Sequence, residues 1–99
     1  MKYNFAIGAI FEKTNAKTRD VDRINLKTAL LDAERLKIPV KFFTRSRRFI
    51  DRFTCIDTDL KPFTLKSFIT SGDLVYYQKN RFEWSNIGID DITKIVIGG

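Results

Sequence analysis

Residues 71–99, SGDLVYYQKNRFEWSNIGIDDITKIVIGG, constrain the fold more than any other part of the chain. Leu74, Val75, Tyr76 and Tyr77 form an apolar block. Gln78, Lys79, Asn80 and Arg81 interrupt it, and Phe82 and Trp84 then alternate with Arg81, Glu83 and Ser85. This pattern predicts a β-hairpin whose second strand buries one face. Ile92–Ile97 predicts a third strand, and the resulting meander is the expected scaffold for the rest of the chain.

What precedes the meander must pack on it. Tyr3, Phe5, Ile7, Ala9 and Phe11 recur at every second residue, with Lys2, Asn4, Ala6, Gly8 and Ile10 between them, as in a strand with one apolar face. Gly8 inside that run predicts a bulge or close packing against a helix. No GxGxxG surrounds it, so no phosphate loop is indicated. Residues 12–19 are polar and read as a loop. A helix follows, with Asp20, Asp22 and Asn25 as alternative caps. Leu26, Ala29, Leu30, Ala33 and Leu36 line one face of it, and Ile24 and Leu31 on the flank predict a wide buried arc. Pro39 ends the helix near Lys37. Residues 40–44 read as a strand beside the first, with the helix crossing over one sheet face.

Residues 45–57, RSRRFIDRFTCID, admit two readings. One is a strand with Phe49, Asp51, Phe53 and Cys55 inward and Arg48, Ile50, Arg52, Thr54 and Ile56 outward. The other is a one-turn helix over 46–52 followed by a strand over 53–57. Residues 57–62 read as a turn, 63–70 as a strand, and Ser71, Gly72 and Asp73 as the turn into the hairpin. The fold class is therefore α+β in a single domain, residues 1–99. An N-terminal β-α-β unit leads into an antiparallel β-rich half, built as a sheet or half-open barrel packed against one helix.

Composition narrows the chemistry. With 43% hydrophobic residues and nine phenylalanines, a chain of 99 residues can build a core without staples. Cys55 is the single cysteine and histidine is absent, which removes an intramolecular disulfide, the commonest metal ligand and the commonest general base. Asp57 with Asp59, and Asp90 with Asp91, sit where turns and strand starts favour aspartate. No catalytic residue, metal or cofactor is expected, and Cys55 reads as a small buried hydrophobe. No apolar stretch is long enough for a membrane span. The start, MKYNFAIGAIFEK, has a leader-like lysine and apolar run, but Asn4 interrupts it and its alternation suits a strand. A reducing cytoplasm is the expected compartment.

Charge supplies the functional expectation. The net charge is +6, and residues 1–56 alone carry 13 Lys/Arg against 6 Asp/Glu. Lys41, Arg45, Arg47, Arg48 and Arg52 cluster, interleaved with Phe42, Phe43, Phe49 and Phe53. Arginine grips phosphate bidentately, and bases stack on exposed aromatic rings. Arg19, Arg23 and Lys27 fall one helical turn apart and extend the basic footprint if the helix begins early. The expected function is that of a small, basic, non-enzymatic accessory protein bound to DNA or RNA. The alternative is an interaction or inhibitor module for an acidic protein, with Tyr76, Tyr77 and Trp84 as anchors. Small chains without a catalytic kit are common among phage and mobile-element accessory proteins, and a homodimer is compatible with either reading.

The last five residues, Ile95, Val96, Ile97, Gly98 and Gly99, resemble the C-terminal diglycine of ubiquitin-like sulfur carriers. That family has two strands before its helix, and this chain shows one.

Overall fold

The computed structural model describes Gly8, residues 10–12 and residues 20–98. In chain order the elements are β1 (Ile10–Glu12), α1 (Asp20–Leu36), β2 (Val40–Phe49), β3 (Cys55–Asp59), β4 (Phe63–Leu65), β5 (Ile69–Ser71), β6 (Leu74–Asn80), β7 (Glu83–Gly88), a 3-10 turn (Ile89–Asp91) and β8 (Ile92–Ile97).

The predicted stripe organises α1. Leu26, Ala29, Leu30 and Ala33 are buried, and Leu36 packs half-buried beside them. Ile24 and Leu31 are 62% and 46% exposed, so the buried arc is narrower than the flanking residues suggest. Asp22 and Asn25 fall inside the helix, which begins at Asp20, and not at the position that precedes it. The C-terminus closes just ahead of Pro39. Lys37 turns left-handed at φ 56, its N–H donates to the Glu34 carbonyl at 3.2 Å, and the Ile38 N–H donates to the Ala33 carbonyl at 2.9 Å. This is a Schellman closure with lysine where glycine is usual.

The first sheet has the order β1-β8-β2, with every neighbouring pair antiparallel. β1 and β2 are therefore parallel but not adjacent. The expectation that they pair is corrected: the last strand is inserted between them, and the β-α-β unit is split. A bulge makes the insertion fit. Phe43 opposes Lys94 but Thr44 opposes Ile92, so Thr93 is the extra residue. The bulge shifts the parity of β8 and lets Ile92, Ile95 and Ile97 all reach the core despite their uneven spacing. The Thr93 hydroxyl donates to the Phe43 carbonyl at 3.0 Å.

β3 and β4 share the other edge of β2. β4 pairs with residues 40–42 and β3 with residues 45–49. The second sheet, β5-β6-β7, is separate, so the predicted meander does not exist as one unit: β8 leaves it for the first sheet. The predicted strand over 63–70 is likewise two short strands, one in each sheet. The hairpin predicted from Leu74 to Ser85 is present, but its second strand continues through residues 86–88, where the sequence predicts a turn before the final strand. Gly72 and Asp73 form the two-residue turn before the hairpin, with Gly72 at φ 58, as a type II′ turn requires of its first central residue. Gly8 also takes a positive φ, 89, and a side chain there would meet nothing within 4 Å. Its role is conformational, and close packing against the helix is not the reason for it. The predicted strand residues before Gly8, together with Ala9 and residues 13–19, lie outside the described residues.

One core joins the layers. Phe42, fully buried, meets Phe68 edge-on at 5.6 Å and stacks on Phe63 at 5.6 Å, and Phe63 in turn meets Tyr77 of β6 at 5.7 Å. Helix α1 ties to the second sheet and to the 3-10 turn by polar contacts as well. Glu34 accepts the Thr70 N–H at 2.7 Å, and Arg23 and Lys27 pair with Asp90 and Asp73 at 3.0 and 2.8 Å.

Leu30 is fully buried, so Leu30→Ala should cost about 2–5 kcal/mol in urea unfolding. A loss below about 1 kcal/mol would show that this helix face does not cover the core, because even a site that collapses fully keeps the transfer cost of the lost methyl groups. Lys37→Gly relieves a left-handed side chain at the helix end. It should stabilise the fold by up to about 1 kcal/mol, because the backbone relief outweighs the extra freedom that glycine gives the unfolded chain.

Candidate nucleic-acid interface

The inner half of β2 is buried and the outer half is not. Residues 40–45 alternate between buried and half-buried positions or are buried outright, whereas every residue from Ser46 to Lys61 is exposed. The register Arg45 with Asp59, Arg47 with Asp57, and Phe49 with Cys55 defines a two-stranded ribbon. β8 stops pairing at Thr44, so among the described residues the ribbon has no neighbour beyond it on that edge. It projects as an arm of about five residue pairs, roughly 17 Å. The molecule is correspondingly long, with extents of 50 × 35 × 22 Å and a radius of gyration of 14.0 Å.

Both readings of residues 45–57 are corrected here. The segment is strand, turn and strand, with no helical turn, and from Ser46 onward it has no inward face. Phe49, Ile50 and Phe53 are 72%, 63% and 91% exposed, and Cys55 is exposed. Alternation alone cannot reveal this, because a ribbon without a covering layer alternates just as a half-buried strand does. Asp57 and Asp59, predicted in a turn, sit on β3, where they oppose arginines.

The tip is pinned. Asp51 accepts the backbone N–H groups of Phe53 and Thr54, each at 2.8 Å, and the Ile50 N–H donates to the Thr54 carbonyl at 3.0 Å. The N–H of Phe53, then that of Thr54, favours the charged carboxylate and holds the Asp51 pKa below its ordinary value. Arg52 and Phe53 are presented outward by this turn.

The arginines divide by environment. Arg45 is buried at the base of the arm, its side chain 7% exposed, with Asp57 at 3.5 Å. Arg47 is 55% exposed and lies 3.9 Å from the same carboxylate. Arg48 and Arg52 are exposed. Arg47 also lines a cleft of about 560 Å³ with Arg23, Asp73, Asp90 and Asp91. Arg19 lies outside the described residues. Arg23 and Lys27 are brought together on α1, each held by an aspartate of the second half.

Lys41 lies elsewhere, on the face of the first sheet away from α1. There it approaches the Phe43 ring at 5.5 Å, and Lys94 of β8 approaches the same ring at 4.5 Å. Sequence reasoning missed Lys94, which is 51 positions from Phe43 and adjacent to it only through the β2–β8 register. The alternative anchors also separate. Tyr77 faces the core through Phe63, while Trp84 is 62% exposed and Phe82 is 89% exposed. The buried face expected for Phe82 and Trp84 is corrected. β7 is an edge strand, and Ile87, not Trp84, is the large side chain it packs against the core.

Among the described residues no group of three or more His, Cys, Asp or Glu is placed to hold a metal ion, and no helix is long and apolar enough to cross a membrane.

The Lys27–Asp73 pair carries a pH prediction. The hydrogen bond from Lys27 and its charge, with a smaller contribution from Arg23, hold the Asp73 pKa below its ordinary 3.8. A carboxylate depressed in the folded state contributes stability above its unfolded pKa and loses it as pH falls through the folded one. Asp73→Asn should therefore be less stable than the parent at about pH 6, and the two should converge as pH drops below the ordinary carboxylate range. Urea unfolding across pH measures this, and a gap that does not change with pH would rule out the ion pair as its source.

Comparison with known proteins finds no matching family model, no similar curated protein and no matching solved structure.

Proposed function

We propose that the chain is a small nucleic-acid-binding accessory protein whose β2–β3 arm makes the principal contact. One observation carries the reading: a protruding two-stranded ribbon with Arg47, Arg48 and Arg52 exposed beside Phe49 and Phe53. A soluble domain gains nothing in stability from holding two phenylalanines in water at the end of an arm. Cations beside exposed rings suit a strand of phosphates and bases. The dimensions suit it too, since a two-stranded ribbon fits the major groove of a duplex. The acids temper the charge. Asp57 already faces Arg45 and Arg47, so the phosphate contacts fall mainly to Arg48 and Arg52, with Arg47 contributing when its distant pairing opens. Non-enzymatic action is part of the proposal, as is the accessory role.

A second reading has its own observation. Phe82 and Trp84 are exposed together on the β6–β7 hairpin, as anchors for a protein partner would be.

The three contacts of the arm alone predict that affinity falls with salt at a log–log slope of about −2 to −3. Arg48→Ala with Arg52→Ala should flatten the slope by about 1.4 on single strands and 1.8 on duplex. Affinity should fall similarly for all sequences, because phosphate contacts do not read bases. Anisotropy titrations at about 50 mM salt measure this. Absence of binding to single-stranded DNA, duplex DNA and RNA at about 100 µM would overturn the proposal and put the protein-partner reading first.

A further inference from the structure

The first sheet has two unlike faces. α1 and the second sheet both pack on the side of Val40, Phe42, Ile95 and Ile97. The other side follows from the register: Ile10 and Glu12 of β1, Lys94 and Val96 of β8, Lys41 and Phe43 of β2, and Thr64 of β4. None of these residues is buried. Near the middle of this face two ammonium groups converge on one ring, Lys94 at 4.5 Å and Lys41 at 5.5 Å from the centre of Phe43. Like charges repel, and a lone phenylalanine on a wet sheet face offers only a modest cation–π return for bringing two together. An anion between them would relieve that repulsion.

A cleft of about 270 Å³ opens beside the ring. It is lined by Phe43, Lys94, Glu12 and Asp59 together with Leu60 and Pro62. It leads from the sheet face to the base of the arm, because Asp59 is the last residue of β3 and opposes Arg45.

We propose that this face is a platform for single-stranded nucleic acid, continuous with the arm. The two ammonium groups leave the Phe43 ring for the flanking phosphates, a base takes their place on the ring, and its edge turns into the cleft. The inference rests on the nucleic-acid reading above and adds a substrate class to it. Single strands are selected because a base within a duplex cannot leave its stack to reach a ring lying on a flat sheet, whereas an unpaired base presents its face freely. The cleft adds a preference. Glu12 and Asp59 are acceptors when ionised, and they favour a base that presents an amino group, as cytosine does and thymine does not.

The test uses labelled oligo(dC), oligo(dT) and a mixed-sequence duplex, titrated by anisotropy at about 50 mM salt. Phe43→Leu keeps apolar volume and removes the π face. It should lower single-strand affinity at least about fivefold, with the salt slope and duplex affinity unchanged. Lys94→Gln keeps the aliphatic stem on the ring and should flatten the single-strand slope by about 0.7. The parent should bind oligo(dC) more tightly than oligo(dT). Thermal melts report whether each variant folds, and Lys94→Gln decides the matter if the Phe43 variant does not. Single-strand binding that is weakened by the Arg48/Arg52 double variant but untouched by Phe43→Leu and Lys94→Gln would overturn the platform and leave the arm reading standing. Equal binding of oligo(dC) and oligo(dT) would remove the base from the cleft. No binding of any probe by the parent would overturn both readings together.

Discussion

The insertion of β8 between β1 and β2 is the constraint on which the rest of the molecule depends. β8 hydrogen-bonds on both edges, contributes three fully buried isoleucines, and is tied at its end by the Gly8 N–H on the Ile97 carbonyl and the Gly98 N–H on the Pro39 carbonyl, both at 2.7 Å. Without it, β1 has no partner among the described residues and β2 keeps only the short β4 and the arm. The helix stripe would then have half a sheet to cover. The closing contacts are long-range in sequence, so the chain pays a large loop-closure entropy before the central strand rewards it.

That placement also decides what is left exposed. β8 ends its pairing with β2 at Thr44, while β2 continues to Phe49. The surplus length becomes the arm, with β3 as its only partner strand among the described residues. A two-stranded ribbon is marginal in water without further packing. This one is held at its base by Arg45 against Asp57 and at its tip by the Asp51 turn. The same register sets Phe43 opposite Lys94 and so builds the lysine-flanked ring on the open sheet face. Arm and platform are two consequences of one strand pairing.

The electrostatics show why linear charge is a poor map of surface charge. Arg23 and Lys27 read as an outward basic stripe, yet each meets an aspartate that folding brings from the second half of the chain. The arm carries four arginines, but Asp51, Asp57 and Asp59 lie on it too. The residues still directed at solvent are Arg48 and Arg52, with Arg47 partly so, and these carry the proposed contact.

The sequence by itself determined the local elements. The apolar spacing from Leu26 to Leu36 specifies a helix face, Pro39 stops it, Gly72 sets the hairpin turn, and the absence of histidine limits the chemistry. These are short-range effects, encoded in side-chain period and backbone restriction within a few residues of each other. Only the tertiary structure decided which strand neighbours which, and therefore which alternating face is covered. Phe42 and Phe49 are alike in type and lie on the same strand, yet one is fully buried and the other is 72% exposed. The difference is that α1, β8 and β4 reach the first, whereas among the described residues only the exposed strand β3 lies beside the second. Burial depends on what arrives from distant parts of the chain, and no local pattern records that.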